Sequence, residues 1–148
     1  MTKRALIRAK ANKANHKLMG LPADKKSREE LAQRLRDLRQ NAPLLPHEIE
    51  ARKARWPHGN TTRVTEPLTM NELGARCRKV TGVTTVGFAK SAFSRWESAN
   101  RMPSFWHMLN IAEALSMGRP VKDRITLEHI TGIPMRAKVI KVSKKARQ

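Results

Sequence analysis

The chain has one cysteine, Cys77, and no tyrosine. A lone thiol permits no internal disulfide, so no oxidising compartment is implied. Aromatic residues are scarce, with three Phe and three Trp in 148 residues. That scarcity disfavours a sandwich of strands and leaves Leu, Ile, Val, Ala and Met to fill a helical core. Apolar runs last only a few residues, too short to span a bilayer. Residues 1–17 carry charge where a secretory signal needs its apolar stretch. There is no Walker phosphate loop, Rossmann fingerprint or paired-histidine zinc motif. The histidines are scattered, Cys77 has no ligand at zinc spacing, and nothing selects a Ser–His–Asp set. The expectation is a protein that is not an enzyme, with no cofactor, metal or membrane partner, in a cytoplasm and associated with a nucleoid.

Acidic residues are also few, 12 against 31 Lys and Arg, for a formal charge of +19. A polyanion is the natural counterweight to such self-repulsion, and nucleic acid is the commonest one. The excess is uneven. Residues 1–27 hold eight basic residues and one acidic, residues 28–118 fourteen and nine, and residues 119–148 nine and two. This pattern predicts a globular domain over 28–118 between a basic N-terminal arm (1–27) and a basic C-terminal tail (119–148). Lys3, Arg4, Arg8, Lys10 and Lys13 in the arm, and Lys141, Lys144, Lys145 and Arg147 in the tail, are candidate phosphate contacts. Solvated arms without a specific partner have the same composition. Around Val139, Ile140 and Val142 a short edge strand and a disordered tail are both open readings.

Helix signals punctuate the middle. Ser27 and Glu30 have capping-box spacing ahead of Leu31, Leu35 and Leu38, and Asn41 and Pro43 close that helix. Pro46 opens a second, running to about Trp56. Residues 57–68 read as a loop. Thr69 and Glu72 form another capping pair before Leu73, Cys77 and Val80, with Cys77 in the core. A Gly- and Thr-containing stretch leads to a helix over about 88–98. Ser104 caps a last helix, whose apolar side includes Phe105, Met108, Leu109, Ile111, Ala112 and Leu115, ending at Gly118 and Pro120.

The 88–98 segment separates its faces at 100° per residue. Ala89, Ala92, Phe93 and Trp96 fall on one arc, and Lys90, Ser91, Ser94, Arg95 and Ser98 on another. Cations and hydroxyls without a large apolar residue suit a helix entering a DNA major groove, where Arg and Lys donate to guanine O6 and N7. A solvated surface helix presents the same face. Trp56, Trp96 and Trp106 are assigned to the core rather than to base stacking.

The string FSRWESANRMP at 93–103, with Leu109, Ile111, Ala112, Ala114 and Leu115 beyond it, resembles the lambda-repressor/Cro-like (XRE-type) helix-turn-helix family. Leu68-Thr69-Met70-Asn71-Glu72-Leu73-Gly74 is similar to that family's second helix. The resemblance covers residues 69–118 and implies a small, mainly α bundle with the helix-turn-helix at about 69–98. It implies a regulator of transcription, for example a repressor, of bacterial, phage or plasmid origin, binding double-stranded DNA and able to act as a homodimer on two half-sites. Lys90, Ser91, Ser94 and Arg95 would face DNA, and Arg101 a phosphate. Phe93 and Trp96 would be core. Glu97 would be structural, pairing with an Arg of the first helix, either Arg52 or Arg55 if residues 49–56 are that helix and 27–40 an extra element. The turn is stretched by several residues near 81–87. Ala99 stands where the family has Gly, with Asn100 as the residue expected to turn left-handed instead. The alternatives are an RNA-binding component of a ribonucleoprotein, a non-specific DNA-compacting protein, or an adaptor that has lost DNA binding.

Overall fold

The structure, a computed structural model, describes residues 24–58, 61–82 and 86–134. The nine arm and tail cations singled out above lie outside these residues, as does the open question of a strand at 139–142. Within them the protein is mainly helical, with seven α-helices and no strand: α1 (Lys25–Gln40), α2 (Pro46–Arg55), α3 (Thr61–Thr65), α4 (Met70–Thr81), α5 (Lys90–Glu97), α6 (Phe105–Ser116) and α7 (Leu127–Thr131). Short 3-10 turns precede α5 (Val86–Phe88) and α7 (Val121–Asp123). No helix among the described residues is long and apolar enough to cross a membrane.

Local chemistry accounts for most of the ends. Pro46 occupies the first turn of α2, where its missing N–H is no loss. The Thr69 hydroxyl accepts from the Glu72 N–H at 3.1 Å while Glu72 accepts from the Thr69 N–H at 3.0 Å, closing the expected capping box of α4. Ser104 caps α6 through the His107 N–H. Helix α1 begins at Lys25 with Asp24 in the cap position, one turn earlier than the Ser27 signal suggested. The expected loop at 57–68 contains α3, a single turn too short to show an apolar period.

The core lies between α4 and α6, with α1, α5 and α7 closing around it. Leu31 and Leu35 of α1, Leu73 and Cys77 of α4, Phe93 and Trp96 of α5, and Met108, Ile111 and Leu115 of α6 are buried. Burying one such side chain contributes roughly 1.5–3 kcal/mol. The domain does not end at Gly118. Ile125 and Ile130 are also buried, so the chain to α7 belongs to the core, and only composition made it read as tail. Helix α1 packs on both α5 and α7.

Helices α2 and α3 join this body through charge. Glu48 and Arg52 stand one turn apart on α2, and Glu72 and Arg76 one turn apart on α4. They pair crosswise, which sets the two helices antiparallel. Arg52 Nε and Nη2 reach Glu72 at 2.9 and 2.5 Å, and Arg76 Nε and Nη2 reach Glu48 at 2.8 and 2.5 Å. Spare guanidinium hydrogens go to carbonyls. Arg52 donates to Glu66 and Pro67, and Arg76 to Pro43 and Ala114. Burial alone would raise the Glu72 carboxyl. The hydrogen bonds from Arg52 and Thr69, with the Arg52 charge, outweigh it and hold the group below its ordinary 4.5. The bond to Glu72 in turn raises Arg52.

Forks this deep bring a large desolvation cost, so their net contribution is small while the loss of one partner is severe. Glu48→Leu and Arg76→Met should each destabilise by about 3–5 kcal/mol. The double variant should cost no more than either single one, measured as a double-mutant cycle of urea unfolding. Additive losses would show that the fork does not act as a unit.

Candidate nucleic-acid interface

Helix α5 is positioned from both ends and from beneath. At its start the Phe88 carbonyl presses on α4 at Gly74, where a Cβ would come within 2.3 Å of that oxygen, so only glycine allows the approach. Arg78 Nη1 donates to the same carbonyl at 3.3 Å. Beneath α5 lies an aromatic cluster. Trp96 meets Phe93 edge-on at 5.1 Å between centroids and lies 5.0 Å from His107, and His107 meets Phe88 and Trp106 at 5.2 and 5.1 Å.

At its end α5 carries Glu97, which is 4% exposed and gripped by α1. Arg39 Nε and Nη2 each reach its carboxylate at 2.8 Å, and Arg36 donates to its carbonyl. The carboxylate therefore pairs with Arg39 of α1, not with an arginine of the 49–56 helix as expected. Arg52 and Arg55 are not its partners; Arg52 is committed to Glu72.

Beyond the helix the chain turns left-handed at Ala99 (φ 63°), not at Asn100. The Asn100 N–H donates to the Arg95 carbonyl at 3.0 Å and the Ala99 N–H to the Trp96 carbonyl at 3.3 Å. That is the Schellman pattern, and it puts the left-handed residue directly after the cap Ser98, whatever side chain stands there. The cap, not the preference of asparagine, decides the position.

This frame leaves one face of α5 open. Lys90, Ser91, Ser94 and Arg95 are all exposed, as is Arg101 just past the turn. Among the described residues none of these five side chains is held by a hydrogen bond or ion pair. Of the two arcs expected, Phe93 and Trp96 are buried with Ala89 and Ala92 partly so, while Lys90, Ser91, Ser94, Arg95 and Ser98 are exposed; Glu97 is buried as well. Helix α5 itself begins at Lys90, after the 3-10 turn, rather than at 88. Two tryptophans differ from expectation. Trp106 is 48% exposed on α6, beside exposed Phe105 and Leu109, and Trp56 is half-buried.

A cleft of about 870 Å³ opens next to Lys90, between α2–α3 and α4. Arg55, Arg63 and Lys79 line it, and none was a sequence candidate for nucleic-acid contact. The signal available was the run Arg52-Lys53-Ala54-Arg55-Trp56, legible only as a basic helix end. Among the described residues no group of three His, Cys, Asp or Glu could hold a metal ion. Buried Cys77 has its thiol pushed up to about 12 by burial, which leaves it unreactive.

Two measurements test the frame. Ala99→Gly removes the left-handed strain and should stabilise by about 0.5–1 kcal/mol, raising Tm by a few degrees. Gly74→Ala should lose about 1–3 kcal/mol by forcing Phe88 off α4. Burial also holds the His107 imidazolium below 6.5, against an opposing Gly87 backbone hydrogen bond. The unfolded chain therefore takes up this proton at higher pH than the folded one. The contribution is fully present above pH 6.5 and is lost as pH falls through the depressed value. Urea unfolding at about pH 7.5 and 5.5 should show weaker stability at the lower pH, and His107→Phe should shrink that difference. An unchanged difference in the variant would assign the effect elsewhere.

Comparison with family models, with curated proteins and with solved structures finds no match to this chain.

Proposed function

We propose that the protein is a non-enzymatic, sequence-reading binder of double-stranded DNA, a regulator of transcription whose α5 enters the major groove. The observation that carries this reading is the free face of α5. Four adjacent side chains, two cationic and two hydroxylic, are exposed and without a partner among the described residues, on a helix whose other side is held against α1, α4 and α6. A recognition helix needs both properties: donors for base edges, and a backbone that does not move when they engage.

The resemblance to the lambda-repressor/Cro-like family supports the same assignment. In it α4 and α5 form the helix-turn-helix, with α1 as the first helix. Glu97 is held by an arginine, Arg39 in place of the expected Arg52 or Arg55, and the left-handed Ala99 stands where the family has glycine. Arg95 and Lys90 are the candidate base readers, Ser91 and Ser94 serve bases or phosphates, and Arg101 reaches a phosphate. The net charge of +19 supplies the attraction that any duplex would feel.

The test is selection from random-sequence duplexes at about 150 mM salt with structured RNA as competitor, because affinity without stated salt has no meaning. One motif should be enriched, and Arg95→Ala should relax preference by about 1–3 kcal/mol at one position while leaving affinity for other duplexes nearly unchanged. Equal retention of all duplexes would make the protein a compacting factor, and preference for RNA would make it a ribonucleoprotein component.

A further inference from the structure

The cleft beside Lys90 has a charge that its sequence does not advertise. Its buried walls contain Glu48, Arg52, Glu72 and Arg76, which cancel in the two crossed forks, and Arg39, which is held by Glu97. What remains facing solvent is Arg55, Arg63, Lys79 and Lys90 against the single acid Glu66. All four cations are exposed, and among the described residues none is in an ion pair. The lining is therefore strongly positive once internal pairs are removed.

Two of the cations are held in place. The Arg55 guanidinium lies 5.5 Å from the centroid of the Trp56 ring and that of Arg63 lies 4.9 Å from it. Stacking on an indole fixes the plane of a guanidinium and leaves its N–H edge free, the geometry that phosphate recognition uses. Both guanidiniums share this one ring. Among the described residues Trp56 is the only indole or phenyl group lining the cleft, so the lining favours phosphate contact over base stacking.

We propose that the cleft takes the sugar–phosphate backbone of the duplex that α5 reads, with Arg55 and Arg63 each neutralising a phosphate beyond the major-groove contacts and Lys79 adding to the field. The proposal rests on the reading of α5 given above, because Lys90 belongs both to that face and to the cleft and joins the two into one surface. Helices α2 and α3 then serve as a second wall for the polyanion, and the forks keep that wall at a fixed distance from α4.

The full chain, bound to the duplex it selects, is titrated with salt as wild type, as Arg55→Ala/Arg63→Ala, and as Lys26→Ala/Lys122→Ala. The last pair matches the loss of charge at exposed lysines outside the cleft. The arginine pair should lower the log–log salt slope by about 1.8, since each lost phosphate contact removes about 0.9. It should weaken binding roughly tenfold or more at about 150 mM salt with base preference intact, while the lysine pair changes little. Hydroxyl-radical protection should shrink at one flank of the site. Circular dichroism checks that both doubles stay folded. If the arginine pair behaves as the lysine pair while Arg95→Ala still relaxes base preference, the cleft proposal is overturned and the reading of α5 stands. If the arginine pair lowers the slope but Arg95→Ala changes nothing, the phosphate contacts of the cleft stand, while the reading of α5 and the joint surface built on it are overturned. If wild type binds no duplex, both are overturned.

Discussion

Three bidentate contacts between arginine and glutamate set the register on which the remaining geometry rests. Each brings two full charges out of water, a step that costs several kcal/mol per ion before any attraction is counted. What they add is specificity of position. A planar guanidinium accepts a carboxylate in one orientation, so Arg39 and Glu97 fix the end of α5 against α1. The crossed pairs on α2 and α4 fix an element that contributes little to the apolar core. Apolar packing tolerates small slides between helices; a two-pronged ion pair does not.

The two kinds of packing divide the work on α5. Phe93 and Trp96 supply buried area and an aromatic bed shared with Phe88 and His107. Glu97 supplies the stop. With all three on one side, a helix of only eight residues, too short to be stable alone, becomes a rigid support for its outward side chains. The spacing that produces this division is already present between residues 89 and 98.

That is why α5 could be read from sequence and the cleft could not. Amphipathic spacing and caps are local, so Thr69 with Glu72, Ser104, Pro46 and the Leu31–Leu35 stripe announced their helices. Partner choice is not local. Arg39 is 58 residues from Glu97, and Arg39, Arg52 and Arg55 offer the same chemistry from two helices. Helix α3 spans five residues, too few for periodicity, and α7 lay inside a segment whose average charge concealed Ile125 and Ile130. The cleft exists only once α2 and α3 are folded back onto α4. Ala99 was readable as a departure from the family pattern. Its left-handed backbone follows from the hydrogen bonds of the cap, which composition does not reveal.

The path of the chain between α1 and α4 has a consequence for descent. Arg39, near the end of α1, donates to the carbonyl of Leu68, just before α4, at 2.7 Å, so the excursion through α2 and α3 leaves and rejoins the body at nearly one point. Closed excursions of this kind are where lineages gain and lose length most freely. This one has left commitments behind it. Arg76 is 2% exposed within α4, and its carboxylate partner arrives only with the excursion. A descendant that dropped residues 41–68 would inherit an uncompensated cation in its core. The segment can vary at its tip, but it can be lost only together with a change at position 76.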